Sequence, residues 1–561
     1  MCHPQPPTVS HHSRATPTET DGGGGVVMAT TKIENYVSQL RRHQNQFAAR
    51  APMAVPSPPS SPRRAGAGHD SGSPYCTSIG LVLALIAGIA AIIVGSLGLT
   101  SEQTLGIDLG TTFSVAAICS QGTVAVVELE DGIVTLPSVV HYQGERSADG
   151  KYGAREWWQD ALLWYKATRG VDRNDDVIVG APQFRNSHPS STVYDAKRLL
   201  GRRFDDPVVT AESEHLPFEV VADGDGFAAF SIPLSHDSRD DGRNDVDKQI
   251  IVSPSDVGAA ILKKLKRAAE SVDWIQKLKR TLGFKYKSLT VSVPVGFTIN
   301  QKKATLKAGK AAGFKLVRLL EEPVAAAIAF GLLDEESESD SDKLVLVYDL
   351  GGGTLDVAVL RLDKQSNTFL VMGSSGDDRL GGEDFDRALM GWFLEKVKVK
   401  TPSESSELPM DPIDLRDSRL HESMLKEMEH AKRRLSEVEM VEVTVFWRDE
   451  TRKKVVAVKT DDAIESEAHT SKITITRQDL EHACSDLLSR SLHPVNDALK
   501  RAGNVQLHEI QNVVLVGGSS RLVSVRERLV DIFGTQRVLA EARGPDPETA
   551  VAVGAARSYA C

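Results

Sequence analysis

Cysteine is scarce and badly placed for a scaffold role: Cys2, Cys76, Cys119, Cys484 and Cys561 are the only five in 561 residues. No CxxC pair occurs, which excludes a zinc ribbon, a thioredoxin-type redox pair and a dense disulfide framework, so the thiols read as free. Positive charge is in deficit as well. Sixty-six Lys and Arg stand against 76 Asp and Glu, a net charge of −10, and no basic stripe crosses the part that can fold. Nucleic acid is thereby excluded as a partner, because phosphate contacts need clustered cations. The folded part also lacks an Asn-x-Ser/Thr glycosylation acceptor. Long apolar runs are missing, with one exception near the front. What remains, 41% hydrophobic and 25% charged residues, is the composition of a globular protein large enough for several domains or sub-domains.

Residues 1–77 carry the run Gly22 to Gly25 and the Pro/Ser-rich stretch Val55 to Pro62. Such a segment buries too little apolar surface to offset its ordering entropy, so a disordered leader is expected. The exception follows at 78–100, where no residue from Ile79 to Leu99 is charged. A helix of that length crosses a hydrocarbon core of about 30 Å, so a transmembrane anchor is expected. Arg41, Arg42, Arg50, Arg63 and Arg64 lie upstream and Glu102 directly downstream. By the positive-inside rule the amino terminus is cytosolic and the bulk of the chain, 101–561, lumenal. Cleavage near the small residues Gly95, Ser96 and Gly98, which would release the chain into the microsomal or secretory lumen, is the alternative.

Just past that run, Leu105 to Ile118 spells a strand, an Asp-Leu-Gly-Thr turn and a second strand. Leu344 to Leu360 repeats the pattern with Asp-Leu-Gly before its turn and Val-Ala after it, an internal duplication that predicts two similar lobes. Glycines let backbone N–H groups approach an anion closely, and threonine hydroxyls add donors, so each hairpin turn suits a phosphate. Asp108 and Asp349 end the first strand of each copy, where they suit a hydrated Mg²⁺. A third glycine turn, Gly517-Gly518, joins the apolar strand at Val513 to a helix through Val525 and Leu529. Glu429, Lys432, Arg433 and Ser436 share the spacing of one helix face, either a grip for a nucleoside or a solvated charged face.

In this order the segments resemble the ATPase domain of the heat-shock protein 70 family, from about Thr104 to Arg557. Further matching stretches are Tyr194 to Asp206, Glu322 to Ala329, Leu380 to Asp386 and Ala550 to Ala556. The resemblance implies an α/β, actin-like fold: two lobes of duplicated ribonuclease-H-like architecture around a nucleotide cleft. It implies ATP or ADP with Mg²⁺ as the bound group, Gly110, Thr111, Thr112 and Phe113 as the first phosphate loop, and Gly352, Gly353 and Thr354 as the second. Catalysis would rest on Lys197, Glu322, Asp108, Asp349 and Thr354, with Asp108, Asp349 and Asp356 holding the metal through water. Glu429, Lys432, Arg433, Ser436, Gly518, Ser519 and Arg521 would hold the adenosine. Co-chaperones and nucleotide-exchange factors would be the partners, alongside the membrane.

Phe113 and Gly296 stand where the family usually has tyrosines, and Lys302 where a relay arginine is expected, which puts in doubt the link that reports nucleotide state. No apolar linker or peptide-binding half follows the core before Cys561, an organisation similar to microsomal, ATPase-only members of the family. The functional expectation is therefore a membrane-anchored ATPase facing the endoplasmic reticulum lumen and assisting protein folding. A catalytically weak, nucleotide-dependent interaction module is the alternative. Two further stretches stand out: an inserted helix at Glu156 to Lys166 with a polar loop to Ser191, and an acidic solvated loop at Asp334 to Asp342.

Overall fold

The computed structural model describes residues 104–120, 122–129, 132–142, 177–233, 249–271, 286–333, 343–363, 365–400, 418–448, 454–459, 469–539 and 544–559. The leader, the apolar run at 78–100, the aromatic helix at 156–166 and the acidic loop at 334–342 lie outside them. Among the described residues no helix is long and apolar enough to cross a membrane.

Lobe I is built on a mixed sheet. Its first hairpin pairs β1 (Thr104–Leu109) with β2 (Phe113–Ser120), antiparallel, with Leu105 opposite Ile118 and Asp108 opposite Val115. Strands β3 (Thr123–Val126) and β4 (Thr135–Pro137) extend it beyond β2. On the other side, β11 (Ser288–Val293) runs parallel to β1, and β12 (Leu316–Glu321) parallel to β11. β11 is buried at every position, as expected of a parallel strand covered on both faces. Two small sheets complete the lobe, one of β5 (Val140–Tyr142), β6 (Val177–Val179) and β7 (Thr192–Val193), the other of β8 (Glu219–Ala222), β9 (Ala228–Pro233) and β10 (Gln249–Val252). The polar loop expected up to Ser191 is thus ordered at 177–179: Val-Ile-Val is a β-branched run, and it pairs with β5.

Lobe II repeats the scheme. β13 (Lys343–Leu350), β14 (Leu355–Asp363) and β15 (Thr368–Asp377) form an antiparallel meander, and β19 (Ile510–Val516) adds parallel to β13. The order β15-β14-β13-β19 matches β3-β2-β1-β11 of lobe I, so the duplication seen in the two glycine turns extends to whole sheets. It is not symmetric in chemistry: Asp349 faces Asp356 across its hairpin, where Asp108 faces Val115. A third small sheet, β16 (Met440–Arg448), β17 (Lys454–Lys459) and β18 (His469–Thr476), stands apart.

Nine helices matter for the site: α1 (Ala196–Leu199), α2 (Pro207–Ser213), α3 (Pro254–Ala269), α4 (Ile299–Ala311), α5 (Glu322–Ala329), α6 (Gly382–Lys400), α7 (Ser418–Leu435), α8 (Val523–Phe533) and α9 (Ala550–Arg557). Ser253 with Asp256, and Thr298 with Gln301, form capping boxes that start α3 and α4 by satisfying their first backbone N–H groups. Helix α9 follows lobe II in the chain but packs on β1, β2 and α5 of lobe I. Small residues permit that close approach: a side chain at Gly554 would collide with the Ala325 backbone, and one at Gly106 with the backbone of Ala552 and Ala556. Each lobe has its own apolar core, with Phe385, Phe393 and Leu529 in lobe II and Ile107, Phe230 and Leu289 in lobe I, and a third cluster packs Ala326 of α5 and Val551 of α9 against Val345 and Val514 of the lobe II sheet.

Cys484 is a buried free thiol, pushed up to about 12 chiefly by burial. Cys119, expected to be free, is disulfide-bonded; every other cysteine lies far from it in the chain, and such a pairing leaves no spacing signature.

Candidate functional site

The turns that end β1 and β13 meet. A Cβ on Gly352 would lie 2.9 Å from the Thr112 hydroxyl oxygen, so the two glycine loops confront each other across the space between the lobes. Each loop is locked locally. In the first, the Ser138 hydroxyl donates to the Gly110 carbonyl at 2.9 Å, and the Ser138 backbone N–H donates to the Thr112 carbonyl at 2.8 Å. In the second, the Gly351 N–H donates to the Thr354 carbonyl at 3.0 Å. Phe113 begins β2 with its ring 40% exposed, so it is available at the rim rather than packed in the core.

Beneath the loops lies a carboxylate cluster with one cation. Lys197 Nζ donates to Glu322 Oε1 at 2.8 Å, joining residues 125 apart in sequence. Glu322 is buried at the start of α5, while Asp108, Asp349 and Asp356 are half-buried at the ends of their strands. Burial alone would lower the Lys197 ammonium; Glu322, Asp108 and Asp356 outweigh it and hold the group above its ordinary value. Burial pushes the Glu322 carboxyl up to about 7, against the pull of Lys197 and with the help of Asp108 and Asp356. Asp356 is raised to about 6, again chiefly by burial, and Asp349 well above the usual carboxylate range by burial and then by Glu322, Asp108 and Asp356. All four shifts have one sign. Burial is the first cause for all three carboxyls, and Lys197 is the cation they face.

That donor set fits a hard dication that retains its water shell, the habit of Mg²⁺. Among the described residues no group of three His, Cys, Asp or Glu side chains is placed to hold a metal ion. Asp108 is held in orientation by Ser292, whose hydroxyl donates to Oδ1 at 2.6 Å from the neighbouring strand β11.

The third glycine turn closes the same space from lobe II. Gly517 has φ 79°, a conformation suited to glycine, and a Cβ there would strike the Leu350 carbonyl and approach Asp349 Oδ1. Gly382 sits between the Ser519 hydroxyl and the Lys432 ammonium. Lys432 is buried, donates to the Gly382 carbonyl at 2.8 Å and forms an ion pair with Asp386 Oδ1 at 2.8 Å. Arg433 pairs with Glu548 at 3.1 Å and Glu429 at 3.7 Å, and Arg521 pairs with Asp546. Both arginine side chains keep part of their surface exposed, 58% and 35%, which leaves room for a flat ring to stack on them. A Cβ on Gly518 would press on the Glu548 carboxylate, the same carboxylate that pairs with Arg433 of α7. Glu429, Lys432 and Arg433 lie within α7, and Ser436 follows its end by one residue, its N–H closing the last turn on the Arg433 carbonyl at 3.2 Å.

Ser292, Asp386, Asp546 and Glu548 were not singled out from the sequence. Asp386 ends a stretch that was noted for its pattern; the other three carry no local signal, because each matters only through a partner distant in the chain.

A family model described as "Hsp70 protein" matches residues 104–161 and 172–560. The chain is also similar to a protein named "Chaperone protein DnaK" from Buchnera aphidicola subsp. Schizaphis graminum (strain Sg), with 31% identity over 461 residues, 81% of this chain. It spans 59% of the length of that relative.

Proposed function

The chain belongs to the Hsp70 protein family, with its α/β ATPase-type fold, and on that premise we propose that it binds ATP and ADP with Mg²⁺ and hydrolyses ATP as a chaperone ATPase. The observation that carries this reading is the Lys197–Glu322 pair, set among Asp108, Asp349 and Asp356 between two glycine loops. Mg²⁺, when bound, neutralises phosphate charge. The loops offer backbone N–H groups and threonine hydroxyls to phosphate oxygens. Lys197 presents a compact positive charge beside the carboxylates, suited to orienting a water or a terminal phosphoryl oxygen. Glu322, with its carboxyl near 7, is able to hold or release a proton at Oε1 near neutral pH. Arg433 and Arg521 flank the position for an adenine, and Lys432, Glu429 and Gly518 the ribose side.

Isothermal titration of the full-length chain with ADP tests the reading. Binding in the micromolar range or tighter is expected with Mg²⁺, weakened at least about tenfold by EDTA, because the cluster's carboxylates then face the phosphates uncompensated. Equal affinity with and without Mg²⁺ would remove the basis of the reading.

The same proposal places the core in the endoplasmic reticulum lumen, anchored by 78–100, with nucleotide-exchange factors and co-chaperones as partners. Its support is the uncharged run from Ile79 to Leu99 with arginines upstream; a disulfide at Cys119 suits an oxidising compartment. In sealed microsomes the core is expected to survive external protease and to be digested once detergent is added. Digestion without detergent would put it on the cytosolic side.

A further inference from the structure

The most elaborate contact that the hydrolysis chemistry leaves unused belongs to Arg198, the residue directly after Lys197. Helix α1 is only four residues long, and Asp195 before it adopts left-handed backbone, φ 54°, a region that Asp tolerates better than most side chains. So tight a turn sends consecutive side chains to different destinations. Lys197 goes to Glu322 within lobe I; Arg198 reaches into lobe II. Its Nη1 donates to the Asp378 carbonyl at 2.5 Å and its Nη2 to the Gly353 carbonyl at 3.2 Å.

Those carbonyls belong to the second glycine loop and to the segment that follows β15, so one planar fork pins both to lobe I. Arginine reaches the two carbonyls from two separate nitrogens of a rigid plane, whereas a lysine would have to bring one nitrogen within reach of both. Gly353 is part of the device: a Cβ there would stand 2.9 Å from Arg198 Nη2. In a trans peptide the Gly353 carbonyl and the Thr354 N–H point in opposite directions, so fixing the first fixes the aim of the second. A charge relay across the lobes backs the fork. Glu212 of α2 lies 3.8 Å from Arg198 Nε and 3.6 Å from Arg379 Nη2 of lobe II, an acid held between two arginines of opposite lobes. Asp195, raised chiefly by burial, has Arg198, Arg185 and Arg387 acting to keep its carboxylate charged.

We propose that Arg198 is a positioning residue that holds the second phosphate loop in register and, with Glu212 and Arg379, latches the two lobes over bound nucleotide, so that nucleotide release is set at this contact. The inference rests on the nucleotide reading above and concerns the rate of release, not whether nucleotide binds.

Release of a fluorescent ADP from the full-length chain, chased with excess ADP in Mg²⁺, tests it. Arg198→Ala is expected to release at least about 10-fold faster, and Glu212→Gln about 3-fold faster. The double variant should be no faster than Arg198→Ala alone, since the two act through one contact. Arg198→Lys, which keeps the charge but not the fork, should recover less than half of the loss. If Arg198→Ala does not fold, Arg379→Gln at the exposed end of the relay still carries the test, with an expected acceleration of about 2-fold or more. Wild-type release in these variants overturns the latch, as does lowered thermal stability with release unchanged, which marks a purely structural role. Absence of Mg²⁺-dependent ADP binding by the wild-type chain is a different failure, of the nucleotide reading itself.

Discussion

Lys197→Ala is expected to slow single-turnover ATP hydrolysis by the chain by at least about 100-fold, with ADP affinity changed only a few-fold. The expected loss is of the size found when one preorganised charge or donor is removed from a site that stabilises developing charge, about 10²–10³. The Lys197 ammonium pulls against the rise of Glu322, Asp349 and Asp356 alike, so its removal is felt by the whole cluster. Folding should survive. Breaking a buried pair is ordinarily costly because it strands a charge, but the Glu322 carboxyl already titrates near 7 and takes up a proton in place of the lost ammonium. The decisive comparison is kcat against affinity: equal turnover in variant and wild type would remove Lys197 from the chemistry. Background turnover in the wild type itself would leave a nucleotide-binding interaction module as the better description.

The second large effect is a pH dependence of stability without nucleotide. Glu322 rises from 4.5 to about 7 on folding and Asp356 from 3.8 to about 6, with Asp349 moving the same way. Groups whose folded value is raised contribute stability that is fully present below their unfolded value and lost as pH climbs through the folded one. The window here is about pH 4 to 7. Taken at face value the Glu322 shift corresponds to roughly 3 kcal/mol, shared with its neighbours because the cluster titrates together. The carboxylates lowered on folding, Asp206, Asp363 and Asp377, act below this window and do not obscure it. Glu322→Gln mimics the protonated acid. Relative to wild type it should gain roughly 1–3 kcal/mol at pH 8 and little at pH 4.5, measured by thermal or urea unfolding. Saturating Mg²⁺ and ADP should shrink the gain, because a bound dication favours the ionised cluster. A gain that is the same at both pH values would show that the carboxylates are not under electrostatic stress.

Two kinds of information were unevenly legible in the sequence. The hairpins could be read directly, since Asp-Leu-Gly followed by small or hydroxyl residues is a local requirement of a turn that exposes its N–H groups. The same holds for β19 running into Gly517-Gly518 and α8, where Val525 and Leu529 are buried as their spacing implies. The duplication, too, is visible as repeated residues before it is visible as repeated sheets. What stayed hidden depends on partners far apart. Ser292 and Asp108 are separated by 184 positions, Arg198 and Asp378 by 180, and nothing near either residue announces the other. The end of α7 was hidden for a related reason: a helical spacing says which residues share a face but not where the helix stops, and α7 ends at Leu435, one residue before Ser436. The β-strand at 177–179 was missed because the polar composition around it outweighed three apolar residues.

The packing of α9 against β1 bears on how the molecule is made. A ribosome delivers Thr104 to Leu109 early and Ala550 to Arg557 some hundreds of residues later, yet the strand and the helix touch backbone to backbone at Gly106. At about 5–20 residues per second of synthesis, the first half of the nucleotide cleft waits tens of seconds for the helix that covers it. A nascent lobe I therefore spends that interval with one face of its central sheet bare, and dependence on other folding helpers during translation is the expected cost of an arrangement that closes the domain with its last-made element.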